Sequence, residues 1–138
     1  MSTDTDKVAQ MLSHMGADEA AGIIDSIASK DSKLAANIQQ SMFPFETILQ
    51  LSTKDMALLH QNIDKTDHIL AMKGANDKIK AKLLEGFSSR KKQMLLEEYE
   101  LMGKVKRSEA DAAKERIAQI LRQLVTKEII SLDEDWVD

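Results

Sequence analysis

Hydrophobic residues recur at helical spacing three times between residues 5 and 41. Val8, Met11, Leu12 and Met15 mark one face, with Gly16 as its stop. Ile23, Ile24, Ile27 and Ala28 mark the next, and Leu34, Ala35, Ile38 and Met42 the third. Such short connections place successive helices antiparallel, so residues 1 to 41 are expected to form one three-helix unit of an α-solenoid, of the armadillo kind. One unit buries little core by itself, which makes one of its faces a candidate contact surface.

The only proline, Pro44 in "SMFPFE", then interrupts the pattern. Proline disfavours helix at the residue before it, so Phe43 is expected to be extended and the chain to bend there, with residues 42 to 46 as a linker. Residues 45 to 51 can form a short helix. Ser52 or Thr53 caps a second one with Met56, Leu59 and Ile63 facing in. "KTDHILAMKGA" closes at Gly74, and residues 76 to 86 and 88 to 102 are expected as two more helices, the second capped by Ser88 and stopped at Gly103. Ser108 with Asp111 resembles a capping box and opens a helix whose stripe is Ile117, Ile120, Leu121, Leu124 and Val125. Residues 47 to 127 thus read as a second helical unit, and residues 128 to 138, with Trp136, as an acidic tail.

Composition agrees with an all-α fold. Of the 138 residues, 43% are hydrophobic and only 4% aromatic, with no alternating run of strong β-formers. Eight methionines at helical spacing read as adaptable core filler. The absence of cysteine removes disulfide and thiol chemistry and fits a reducing cytoplasm. Neither a secretory signal nor an apolar run near the ~20 residues of a membrane span is visible, so direct membrane insertion is not expected. A net charge of -4 argues against a nucleic-acid module.

Catalytic and metal patterns are missing too. His14, His60 and His68 fall on separate helices without HExxH-type spacing, and read as surface or satisfied histidines. Asp64 and Asp67 flank a helix start, where capping accounts for them, and the five glycines are isolated helix stops. No cofactor, no metal and no enzymatic activity are expected. A helix-turn-helix reading fails on the acids that follow Arg90, Lys91 and Lys92 within two turns.

The most informative feature is "SSRKKQMLLEEYE", where bases open a helix and acids close it. This order opposes the helix dipole and the favoured Glu-before-Lys spacing. Arg90 and Glu97, two turns apart, lie on nearly the same face about 10 Å from each other, too far to pair. Lys104, Lys106 and Arg107 add a second basic group. A solvated mixed-charge face is the plain reading; a face displayed for a partner is the functional one.

Residues 42 to 106 resemble, without gaps, the C-terminal domain of the flagellar motor switch protein FliG. That family's MFxFEDI linker, LKGA turn, SxRAA helix start, acidic pair and GPVR turn have ordered counterparts. These are Met42-Phe43-Pro44-Phe45-Glu46, Lys73-Gly74-Ala75, Ser88-Ser89-Arg90, Glu97-Glu98 and Gly103-Lys104-Val105-Lys106. The resemblance implies a rotor component whose charged rim helix meets the cytoplasmic loop of a MotA-type stator, with FliM and neighbouring FliG-type subunits as other partners. It places this at the cytoplasmic face of the inner membrane, in the basal body. The implied stator-contacting charges are Lys73, Arg90, Glu97, Glu98 and Lys106, and the implied hinge is Met42, Phe43, Pro44 and Phe45. Lys91 and Lys92 stand where the family usually has two alanines, Lys104 replaces the turn proline, and Pro44 stiffens the hinge. An alternative of another class is a stand-alone adaptor that binds a protein partner through its armadillo-like face. Without a neighbour there, residues 5 to 41 are expected to self-associate.

Overall fold

A computed structural model describes residues 4 to 15, 17 to 130, and 132. Gly16 and Trp136 lie outside the described residues. Helices α1 (Asp4–Ser13), α2 (Ala17–Lys30) and α3 (Ser32–Met42) come first, then a 3-10 helix (Phe45–Gln50). They are followed by α4 (Thr53–His60), α5 (Lys65–Lys73), α6 (Asp77–Leu84), α7 (Ser89–Met102) and α8 (Arg107–Thr126). No strand occurs among the described residues. The fold is all-α, with an armadillo-like short-helix unit followed by the helical unit that carries the charged helix.

The chain divides into two compact units, Phe45–Leu121 and, apart from it, Met1–Pro44 with Arg122–Asp138. In the latter unit α3 packs on both α1 and α2. The core is narrow: Ala9, Leu12, Ala20, Ile24, Ala35 and Ile38 are buried, with Val8, Met15, Ile27 and Met42 packed around them. Three of those six are alanines, which lets the helix axes approach closely. That narrowness corrects the sequence reading of Met11, Ile23 and Leu34, which are 69%, 37% and 38% exposed. In α1 the buried direction runs through Leu12 and Ala9, and Met11 points roughly 130° away from it.

The last turn of α8 belongs to this unit, tied by Arg122. Its guanidinium is buried and donates to the Phe43 carbonyl at 3.1 Å and the Gln40 carbonyl at 3.4 Å. A cation thus meets the unsatisfied carbonyls at the C-terminus of α3. Phe43 is extended, with φ -133° and ψ 77°, as expected before Pro44.

In the Phe45–Leu121 unit, side-chain caps set the helix starts. Ser52 accepts from Asp55 N–H at 3.1 Å, Asp64 from Thr66 N–H at 3.1 Å, Asn76 from Ile79 N–H at 2.9 Å and Ser88 from Lys91 N–H at 3.1 Å. The short helix expected after Pro44 is present, wound as a 3-10 helix over Phe45–Gln50. One expectation is corrected. Helix α8 opens one residue before Ser108: the Lys106 carbonyl accepts from Glu109 at 3.0 Å and Ala110 at 3.2 Å, which puts Ser108 inside the first turn, past the capping position.

Around the fully buried Met56, Leu59, Met72, Leu83, Leu95 and Ile117, polar ties span long chain separations. Asp67 is held by Arg116 through two bonds, Oδ1 to Nη2 at 2.8 Å and Oδ2 to Nε at 3.0 Å. Lys82 donates to the Leu51 carbonyl and to Glu85 Oε2. At Gly74 the constraint is space: a Cβ there would stand 3.0 Å from Ala110 Cβ and 3.2 Å from Lys114 Cε, while its carbonyl accepts from Lys114 Nζ at 2.5 Å. Glycine therefore permits a close approach at the end of α5.

Candidate protein-contact site

Helix α7 carries the reversed charge order between two firm ends. Ser88 caps its start, and Gly103 ends it with φ 69°, a left-handed turn that leaves open space where a Cβ would be. The first turn holds no acid and the last no base. Of its 14 residues only Leu95 is buried. The helix is attached along one side and bare along the rest.

The attached side uses polar as well as apolar contacts. Glu98 forms an ion pair with Lys65, the two side chains 33% and 54% exposed. Tyr99 lies under the Lys73 ammonium, 3.8 Å from its ring centroid, with Lys80 at 5.5 Å. Below the start of α7, the rings of His60, His68 and Phe87 stack, with centroids 5.1 Å apart between the histidines and 4.1 Å between His60 and Phe87. His68 Nε2 meets the Leu83 carbonyl at 2.6 Å and His60 Nε2 the Glu85 carbonyl at 3.0 Å, so each ring donates there. Burial pushes the His68 imidazole down to about 4, helped by the neighbouring His60 and by Lys91, and burial lowers His60 as well. Both histidines are neutral stacking partners near pH 7. Among the described residues no group of three or more His, Asp or Glu side chains is placed to hold a metal.

The five charges named from the sequence therefore separate. Lys73, the last residue of α5, sits on Tyr99, and Glu98 is engaged by Lys65. Arg90 and Glu97 are exposed on the open side of α7. Among the described residues Arg90 has no hydrogen bond or ion pair, and Glu97 accepts only from Gln93, at 3.4 Å. Lys106 is exposed in the turn after Gly103, and its carbonyl starts α8. Of the four linker residues, Met42 ends α3, Phe43 is the residue Arg122 holds, Pro44 is exposed and Phe45 is buried at the start of the 3-10 helix.

Sequence reasoning missed the Asp67–Arg116 bonds, the histidine stack, Arg122 and Tyr99. The first joins residues 49 positions apart, which no local pattern reveals. Tyr99, the only tyrosine, sits four and three residues from Leu95 and Met102, and that helical spacing was a usable signal.

Among the described residues the chain is all-helical, with an armadillo-like unit and a capped helix whose charges point outward. The family model of the FliG C-terminal domain matches residues 25–132. The flagellar motor switch protein FliG of Thermotoga maritima is 32% identical over 86% of this chain and 36% of its own length, and that of Aquifex aeolicus 32% identical over 85% and 36%. The structure of full-length FliG from Aquifex aeolicus superposes with a TM-score of 0.82 at 31% identity, over 91% of this chain and 39% of that one. A crystal structure of FliG from Helicobacter pylori gives 0.68 at 30% identity, over 96% and 58%. The chain belongs to the FliG C-terminal domain family, and it spans about a third of the length of these curated relatives.

Proposed function

We propose that this chain is the stator-facing part of a flagellar motor switch component, acting by protein contact and not by catalysis. Arg90 and Glu97 on α7, flanked by Lys73, Glu98 and Lys106, meet a charged cytoplasmic loop of a MotA-type stator at the cytoplasmic face of the inner membrane. The observation that carries this reading is the pair of opposite, exposed charges two turns apart that the fold leaves unneutralised. Charged contacts suit a motor because encounter is steered and release is rapid. Residues 42 to 46 serve as the hinge that changes how α7 is presented, between the armadillo-like unit and the torque-helix unit that carries α7. Reversing Arg90 and Glu97, singly and together, in a cell whose rotor carries this chain tests the proposal. Swimming is expected to fail in the single reversals; unaffected torque in all three variants overturns it.

A second contact is supported by the open side of α2. Met15, Glu19, Gly22, Ile23, Ser26, Ile27 and Lys30 line a shallow groove there, with Ile23 37% exposed. This face takes a neighbouring FliG-type subunit, FliM or a second copy of the chain, and it would remain the working surface if the chain served as an adaptor outside the motor. Sedimentation over a concentration series is expected to show association that Ile23→Lys removes; a monomer at every concentration counts against it.

A further inference from the structure

The open side of α7 is not only charged. Residues 90, 94, 97 and 101 follow one another at spacings of four, three and four, so Arg90, Met94, Glu97 and Leu101 form a single stripe about 16 Å long. Met94 is 45% and Leu101 85% exposed. Three of the eight exposed large hydrophobic side chains among the described residues sit on this one helix, the third being Leu96. A solvated charged face has no need of them, and a leucine left almost wholly in water forgoes the gain its burial would give.

Spacing of four, three and four is the seam of two helices packed at a shallow angle, in which alternate positions of each helix enter the gaps of the other. On this seam apolar and charged positions alternate: a base, a thioether, an acid, an isobutyl group. The charge order fixes what fits. A partner helix must bring a carboxylate to Arg90 and an ammonium or guanidinium to Glu97, two turns apart, with apolar side chains against Met94 and Leu101. Those apolar contacts would exclude water from the Glu97 pair between them, and Met94 would cover one side of the Arg90 pair, raising both above surface pairs, which are worth little.

We propose that α7 docks an amphipathic helix of the stator loop along Arg90–Met94–Glu97–Leu101, with Met94 and Leu101 as the anchors that set how long the contact lasts. This rests on the proposed stator-facing function and adds to it that the contact is part apolar. Charges then govern the rate of encounter and its salt dependence, while Met94 and Leu101 govern the rate of release.

The test uses this chain and, as probe, the purified cytoplasmic loop of its own motor's MotA-type stator, with association and dissociation followed at 0.05 and 0.5 M NaCl. Glutamine keeps length and helix propensity, so the double variant Met94→Gln/Leu101→Gln is expected to stay folded and to dissociate about tenfold faster at both salt concentrations. Leu96→Gln, as exposed as Met94 but turned roughly 160° away around the helix, is expected to stay within about twofold of the parent. If the double variant behaves like the parent while Arg90→Glu and Glu97→Lys abolish binding, the contact is purely electrostatic: the inference falls and the function stands. If the charge reversals also bind normally, the function itself falls. Equal losses in Leu96→Gln and in the double variant would show general stickiness and overturn the stripe. A dimer of the chain that Met94→Gln dissociates would assign the stripe to a second copy and overturn the partner named here.

Discussion

The two sides of α7 use the same residue types to opposite ends. On the attached side Leu95 is buried, Glu98 is held by Lys65 and Tyr99 carries Lys73; on the open side Arg90, Met94, Glu97 and Leu101 face solvent. Glu97 and Glu98 are neighbours in the chain, yet 100° of helical rotation sends one outward and ties the other down. An acidic pair that reads as one feature in the sequence is thus two, one paired with Lys65 of α5 and one displayed to solvent. Substitutions that separate stability from contact can break this division.

The largest effect is expected at Leu95, 2% exposed and the only buried residue of α7. Leu95→Ala removes core volume and should cost about 2–4 kcal/mol in chemical denaturation. Leu101→Ala, the same chemistry at an 85% exposed position, should stay within about 0.5 kcal/mol. A cost above 1 kcal/mol at Leu101 would mean that the open side is packed.

Acid should act through the floor beneath α7. His68 is lowered from 6.5 to about 4 in the folded chain, so between those values the unfolded chain binds a proton that the folded one does not. Stability is therefore full above about pH 6.5 and falls as the pH drops toward 4, by up to about 3 kcal/mol, with His60 adding in the same direction. Denaturation midpoints across that range check it, and His68→Phe should flatten the profile. An unchanged slope in that variant would exclude His68 as the source.

Gly74 supports the attached side from the end of α5, next to Lys73. Gly74→Ala sets a methyl 3.0 Å from the Cβ of the buried Ala110 and disturbs the Lys114 bond to the Gly74 carbonyl. A cost of about 1–2 kcal/mol is expected. A stabilised variant, as a helix-favouring alanine alone would give, would show that α8 yields.

How much of this could be read from the chain depends on distance along it. The helix starts at Ser88, Asp64 and Ser52, the stop at Gly103 and the extended Phe43 follow from residues within four positions, and all were legible. Ser108 misled because the Lys106 carbonyl had already begun the helix, and Met11 because the alanine-lined core takes a narrower stripe than the apolar pattern offers. Within the site, the outward direction of Arg90 and Glu97 followed from spacing. The engagement of Glu98 did not, since Lys65 is 33 positions away, although its place one turn beyond the buried Leu95 hinted at an inward lean. Met94 and Leu101 stayed hidden because an apolar residue in a helix is by default assigned to the core.

The Lys65–Glu98 pair should matter little to stability. With side chains 54% and 33% exposed it lies largely in water, and a double-mutant cycle between Lys65→Met and Glu98→Gln is expected to give a coupling of about 0.2–1 kcal/mol. A coupling above 2 kcal/mol would make Glu98 a structural residue and remove it from the proposed stator-contacting charges.

The smallest effect is the most diagnostic. Arg90 is the second residue of α7, where a helix favours an acid, and it has no partner among the described residues. Arg90→Glu should therefore raise stability by a few tenths of a kcal/mol, more at low salt, where the dipole is less screened. The same substitution is expected to abolish swimming, so a change that improves the fold would remove the function. Proteins keep such locally unfavourable residues where a contact requires them. Should Arg90→Glu instead destabilise the chain by more than 0.5 kcal/mol, Arg90 is bound within the fold, and the open side of α7 loses its leading charge.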